Sequence, residues 1–123
     1  MTTAFRAGEL SAADLTEALL APPSAQPLSP SNITTRSQVF FTSDDDHLLA
    51  GTWECEPGTS RWEFLERAEV IHVLSGRMTV HADDSDAVEL SEGSSAVFPL
   101  GWCGTWTVHE TLRKVFVVYR PNL

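Results

Sequence analysis

The carboxylate of Glu69 is the side chain whose setting most needs a reason. It opens the run Glu69-Val70-Ile71-His72-Val73, where strand alternation places Ile71 and Val73 on the same face as Glu69 and sends His72 to the other. A carboxylate on an apolar inward face is expensive unless it is paired or hydrogen-bonded. Pairing with Arg61 or Lys114 would make it structural; otherwise it is placed to act as a polar anchor or an acid/base group. Lys114 stands at the head of a very apolar run and either points inward with Phe116 and Val118 or snorkels outward. For a lone lysine snorkelling is the expectation.

Aromatic side chains surround that carboxylate. Trp62 and Phe64 approach the interior from one segment and Trp106 from another. They are either core or, together with Glu69, Ile71 and Val73, the lining of a ligand cavity, since pockets are themselves mostly apolar with a few polar groups. Imidazoles are missing from this set. His72 and His81 fall on outward faces, His47 lies in an acidic turn after Asp44, and His109 ends the strand through Thr107, so none reaches the interior unless a bulge resets the parity. Cys103, between Trp102 and Gly104, has no histidine placed to activate it and is expected to be inert. Cys55 and Cys103 are too few for a disulfide-stapled secreted fold and are expected as free thiols.

The elements that carry these residues are short. Ser11 can cap a helix over 11–20, with Asp14 near its positive end and Leu15, Ala18 and Leu19 on one face. Pro22 and Pro23 end it by Ala21, and a Pro/Ser linker follows over 22–31. β-type runs then recur over 38–42, 48–54, 62–64, 69–74, 77–82, 87–90, 96–98, 105–108 and 114–119. Asp44-Asp45-Asp46, Ser75-Gly76, Asp83-Asp84-Ser85 and Ser91-Glu92-Gly93 mark turns between them. Such spacing indicates an all-β sandwich or barrel over 38–123, preceded by a helix-and-linker segment over 1–37. Met78 and Val80 should point in and Thr79 and His81 out, whereas Val115 to Tyr119, apolar throughout, should be buried on both faces.

Composition narrows the partners. The 123 residues make one domain, with a net charge of -9 and no basic run longer than Arg113-Lys114. Nucleic acid and anionic membrane are therefore poor partners. No stretch is long and apolar enough to span a bilayer and no signal-peptide pattern opens the chain, so a cytoplasmic protein is expected.

The glycines and prolines carry a family pattern. Glu69, six residues, then Gly76 matches the second half of the first cupin motif; Gly93, five residues, Pro99, one residue, Gly101 matches the opening of the second. With the segments 51–58, 61–62 and 99–106, the last two-thirds of the chain resembles the single-domain cupins related to ureidoglycine aminohydrolase and the ethanolamine-utilization Q protein. The resemblance implies a jelly-roll barrel, or double-stranded β-helix, that forms a homodimer, and a basic residue often facing inward at the Lys114 position.

Metal-dependent cupins hold their metal with two His and one Glu from the first motif and a third His from the second. Only Glu69 matches that set. Counting forward from Gly58 puts Phe64 and Glu66 at the two His positions, counting back from Glu69 puts Trp62 and Phe64 there, and Gly104 stands at the third. No metal is expected; any site would rest on Glu69 and Glu66.

The first functional expectation is a metal-free binding module. It would hold a small organic molecule, cationic or amide-bearing, between Trp62 and Trp106 with Glu69 as anchor. The alternative is an enzyme resembling ureidoglycine aminohydrolase, using manganese or another divalent metal on a small nitrogenous metabolite. Between them lies a metal-free acid/base enzyme with Glu69 and Lys114 as catalytic groups.

Overall fold

Two long strands, β6 (Ala68–Ala82) and β9 (Cys103–Tyr119), form the spine on which the other strands are laid. They pair antiparallel along nearly their whole length, from Ala68 opposite Tyr119 to Ala82 opposite Gly104. The computed structural model describes residues 2–6 and 14–122. Its remaining strands are β1 (Thr16–Leu19), β2 (Ala25–Ser29), β3 (Thr34–Thr42), β4 (Leu48–Cys55), β5 (Gly58–Glu63), β7 (Val88–Ser91) and β8 (Ser95–Phe98). One edge of β9 is shared, β4 taking its C-terminal half and β5 its N-terminal half, while β6 takes the other edge and itself receives β7 and β8. The sheet order β1-β3-β4-β9-β5-β2, with β6, β7 and β8 branching from β9, curls into the expected all-β barrel.

Alternation decides what lies inside. Glu69, Ile71 and Val73 are buried and His72 is exposed; further along β6, Met78 and Val80 are buried and His81 is exposed. On β9, Trp106, Val108, Leu112, Lys114 and Val118 all point in at one parity. The two strands differ because β6 takes five steps from Val73 to Met78 while β9 takes six from Lys114 to Val108. That irregularity is a β-bulge, and it flips the inward parity of β6 without breaking the strand. Gly76 sits in it with φ +89°. A Cβ there would stand 2.2 Å from the Thr111 carbonyl oxygen, so both dihedral and space demand glycine.

The structure corrects several expectations. Ser75-Gly76 is a bulge inside one strand, not a hairpin between two, and 105–108 and 114–119 likewise belong to one strand. In place of a helix over 11–20, Thr16–Leu19 is an edge strand opposite Thr34 to Ser37; residues 11–13 lie outside the described residues. A helix of so few residues is marginal in water, and the free edge of β3 offers its backbone ready partners. The stretch taken as a linker contains β2, which pairs with β5, and Ala25 and Ile33 are core residues. Pro27 is tolerated there because β2 is an edge strand. The barrel sheet therefore begins well before residue 38.

Val117 and Tyr119 point outward and are exposed, so the 115–119 run is covered on one face only. Val117 lies level with Val70 and Ala50, Val70 with Val97, and Ala50 with Phe41, which makes an apolar row across five strands of the outer face.

Replacing Gly76 by Ala should lower stability by about 2 kcal/mol or more, because strain in a left-handed conformation adds to a backbone clash. Gly93, also at φ +89° but with open space where a Cβ would go, should lose only about 1 kcal/mol in the same replacement. Urea midpoints of the two variants check the order.

Candidate functional site

A cavity of about 130 Å³ opens inside the barrel beside Glu69. Its polar lining is Glu69, Lys114 and Arg67; its apolar walls are Trp53, Trp62, Phe116 and Val118. Glu69 and Val118 reach it from directly opposed positions on β6 and β9, and Trp53 stands opposite Lys114 on β4.

Lys114 points inward. Its ammonium donates to Glu69 Oε1 at 2.7 Å, and the two side chains are 2 % and 4 % exposed. Snorkelling is overturned: four-carbon reach along β9 brings the charge to a carboxylate instead of to water, and Arg61 is not the partner. Arg61 faces outside, donating two hydrogen bonds to Asp83 at 2.6 and 2.7 Å. Two indole faces complete the lysine's surroundings, with Nζ 4.4 Å from the Trp53 ring centre and 4.6 Å from that of Trp106. Burial pulls the Lys114 pKa below its ordinary value, an effect that Glu69 opposes and Arg67 reinforces.

The aromatic side chains divide into lining and backing. Trp62 borders the cavity and its indole N–H donates to Ser60 Oγ at 2.8 Å. Trp106 lies flat behind it, ring centres 4.0 Å apart and planes 22° apart. That stacking closes the gap in which a ligand was expected, so nothing can lie between Trp62 and Trp106. Phe64, Ile71, Val73 and Trp106 are fully buried core residues that support the cavity without lining it. Glu66 is exposed and is not part of the lining.

Trp53, Arg67, Phe116 and Val118 line the cavity outside the expected lining set, and of these Trp53 and Arg67 belong to no inward set read from the sequence. Trp53 belongs to β4, where inward parity from Gly51 points it at the interior. Arg67 sits in the turn between β5 and β6, where no periodicity fixes direction. Its guanidinium lies 5.6 Å from the Phe64 ring centre, and its Nε is buried with no hydrogen-bond partner among the described residues.

The donors available do not suit a first-row metal. His72 bonds Ser95 Oγ and His109 bonds the Thr79 hydroxyl on the outer surface, His81 is exposed, and His47 contacts the Arg120 carbonyl. Among the described residues no group of three or more His, Cys, Asp or Glu could hold a metal ion. The single carboxylate of the cavity is engaged by an ammonium, and a divalent ion would stand beside two fixed cations. Both cysteines are free, and burial pushes the Cys55 thiol up to about 12.

A model of the EutQ-like cupin domain matches residues 42–116. The chain belongs to that cupin family. Among solved structures it is similar to the Clostridium difficile EutQ protein, at 24% identity over 80% of this chain and 79% of that one, with a TM-score of 0.64. It is also similar to a Pseudomonas syringae protein of unknown function from the DUF861 family, at 21% identity over 85% of this chain and 43% of that one, with a TM-score of 0.73. A comparison with curated proteins finds no match. At these identities the structural likeness establishes a shared barrel, and the chemistry of this cupin has to be argued from its own cavity.

Two outcomes follow from the geometry. Glu69→Gln should strand a buried ammonium and destabilise the barrel by about 3 to 5 kcal/mol, whereas the double replacement Glu69→Leu with Lys114→Met should be about neutral or stabilising; denaturant unfolding of the three proteins measures the difference. At pH 8 a thiol-reactive disulfide reagent should leave Cys55 unmodified in the folded protein and react with it on unfolding.

Proposed function

We propose that this cupin binds a small organic molecule in the cavity beside Glu69 and does so without a first-row metal. The observation that carries the reading is the Lys114–Glu69 pair itself. A buried ion pair is seldom better for stability than two well-packed apolar side chains, so its place on a cavity wall argues for use by a ligand. Apolar walls with a few convergent polar groups are the usual composition of a small-molecule site.

A second reading is favoured by the 2.7 Å contact, across which a proton can pass. In it Glu69 and Lys114 act as acid and base on the bound molecule, the lowered Lys114 pKa bringing the amine closer to neutral pH. The manganese-dependent alternative resembling ureidoglycine aminohydrolase has the least support, because it needs inward imidazoles that this barrel replaces with aromatic rings. A cytoplasmic homodimer completes the proposal. The outer apolar row through Val97, Val70, Val117, Ala50 and Phe41 carries no charge, so a second copy of a chain with net charge -9 can approach there without direct repulsion.

Elemental analysis should find far less than one equivalent of Mn, Fe, Zn, Ni or Cu in protein dialysed against chelator. Retained stoichiometric metal would sink the metal-free reading and promote the manganese-dependent one. Sedimentation at micromolar concentration should show a dimer, and a monomer at every concentration would remove the homodimer.

A further inference from the structure

The charges around the cavity do not cancel. Lys114 and Arg67 bring two positive charges to its wall and Glu69 brings one negative charge, which Lys114 already engages at 2.7 Å. Arg67 has neither an ion pair nor a hydrogen bond among the described residues, and its Nε is buried, so a strong donor faces the cavity region unused. A buried donor of that kind is costly to leave unmet, and a guanidinium matches a carboxylate in shape as well as charge.

We propose that the ligand is a small monocarboxylate whose anionic end is received by Arg67, with Lys114 alongside and its apolar remainder against Trp53, Phe116 and Val118. This rests on the cavity being the binding site, as proposed above, and it reverses the cationic ligand expected from the sequence. A cationic ligand would have to displace Lys114 from Glu69 and would raise the positive charge of the site, while a monoanion brings it to neutrality. Lys114 already occupies the indole faces of Trp53 and Trp106, and Trp62 is stacked against Trp106. Size sets the other limit. A cavity of about 130 Å³ is close to the roughly 150 Å³ that accommodates a benzene ring, which corresponds to about six non-hydrogen atoms.

Butyrate, butyramide and n-butylammonium are near-isosteric probes of that size that differ in charge. Each would be titrated into the wild-type protein and followed on the indole N–H signals of Trp53 and Trp62. Butyrate should shift these signals saturably, and the amide and the ammonium should bind about 10- to 100-fold more weakly, the worth of one hydrogen bond to a charged group. Arg67→Met should weaken butyrate by a similar factor while leaving the thermal midpoint near that of wild type, and Arg67→Lys should restore part of the affinity. Amide or ammonium binding as tight as butyrate would keep the cavity as the site and overturn the carboxylate. Indole signals unmoved by all three probes would overturn both proposals together. Undiminished butyrate binding in a folded Arg67→Met protein would remove Arg67 from the role. The three-probe comparison uses the wild-type chain, so its answer does not depend on whether any variant folds.

Discussion

A single ammonium on a side chain only 2 % exposed constrains the interior of this barrel. Lys114 must find a carboxylate and polarizable surfaces to offset its lost hydration, and Glu69, Trp53 and Trp106 supply them. Those partners come from β6, β4 and β9, so satisfying one charge ties three strands at fixed positions. A shift of β6 by one residue would turn Glu69 outward and bury Val70 or Ala68 against an unpaired lysine. The pair thereby penalises wrong registers more heavily than an apolar contact would, since apolar side chains can slide past one another at little loss.

The aromatic stack extends that constraint to the barrel floor. Trp62, Trp106, Phe64 and Phe98 lie in nearly parallel or tilted contact, and Trp102 closes on Phe98 edge-on. Trp62, Phe98 and Trp106 are placed by the parity of their strands, and together with Phe64 and Trp102 the rings fill the interior beside the cavity. Two consequences travel together. The core gains rigid, densely packed surface, and what remains open is a small space whose polarity comes from fixed protein charges.

Much of this was legible in the sequence because strand alternation is a local signal. The inward set Glu69, Ile71 and Val73, the second inward set Met78 and Val80, and the outward histidines all follow from period two. What alternation does not report is how a change of parity is achieved. The switch between Val73 and Met78 reads equally well as a hairpin or a bulge, and only the pairing partner distinguishes them. Edge strands were lost for a related reason. Thr16–Leu19 is exposed at every residue, so no burial pattern marks it, and its strand form is dictated by the open edge of β3. Arg67 was invisible because a turn residue has no period to fix its direction. The inward course of Lys114 is not legible locally because its carboxylate partner lies far away in sequence and nearby across the sheet.

The same non-local pairing bears on how such a site can change its chemistry. In a barrel whose inward positions sit on paired strands, replacing one buried charged group leaves its partner unmet, so charges at Glu69 and Lys114 are expected to change together or not at all. Arg67 is under no such constraint, being held in a turn with no ion pair or hydrogen bond among the described residues and its guanidinium near the Phe64 ring. The spine pair therefore fixes the cavity's shape and its buried polarity, while the turn residue can alter net charge at small structural expense. On the binding role proposed above, ligand preference is most easily retuned at the 67 position, and the Glu69–Lys114 pair is the frame against which any such change is read.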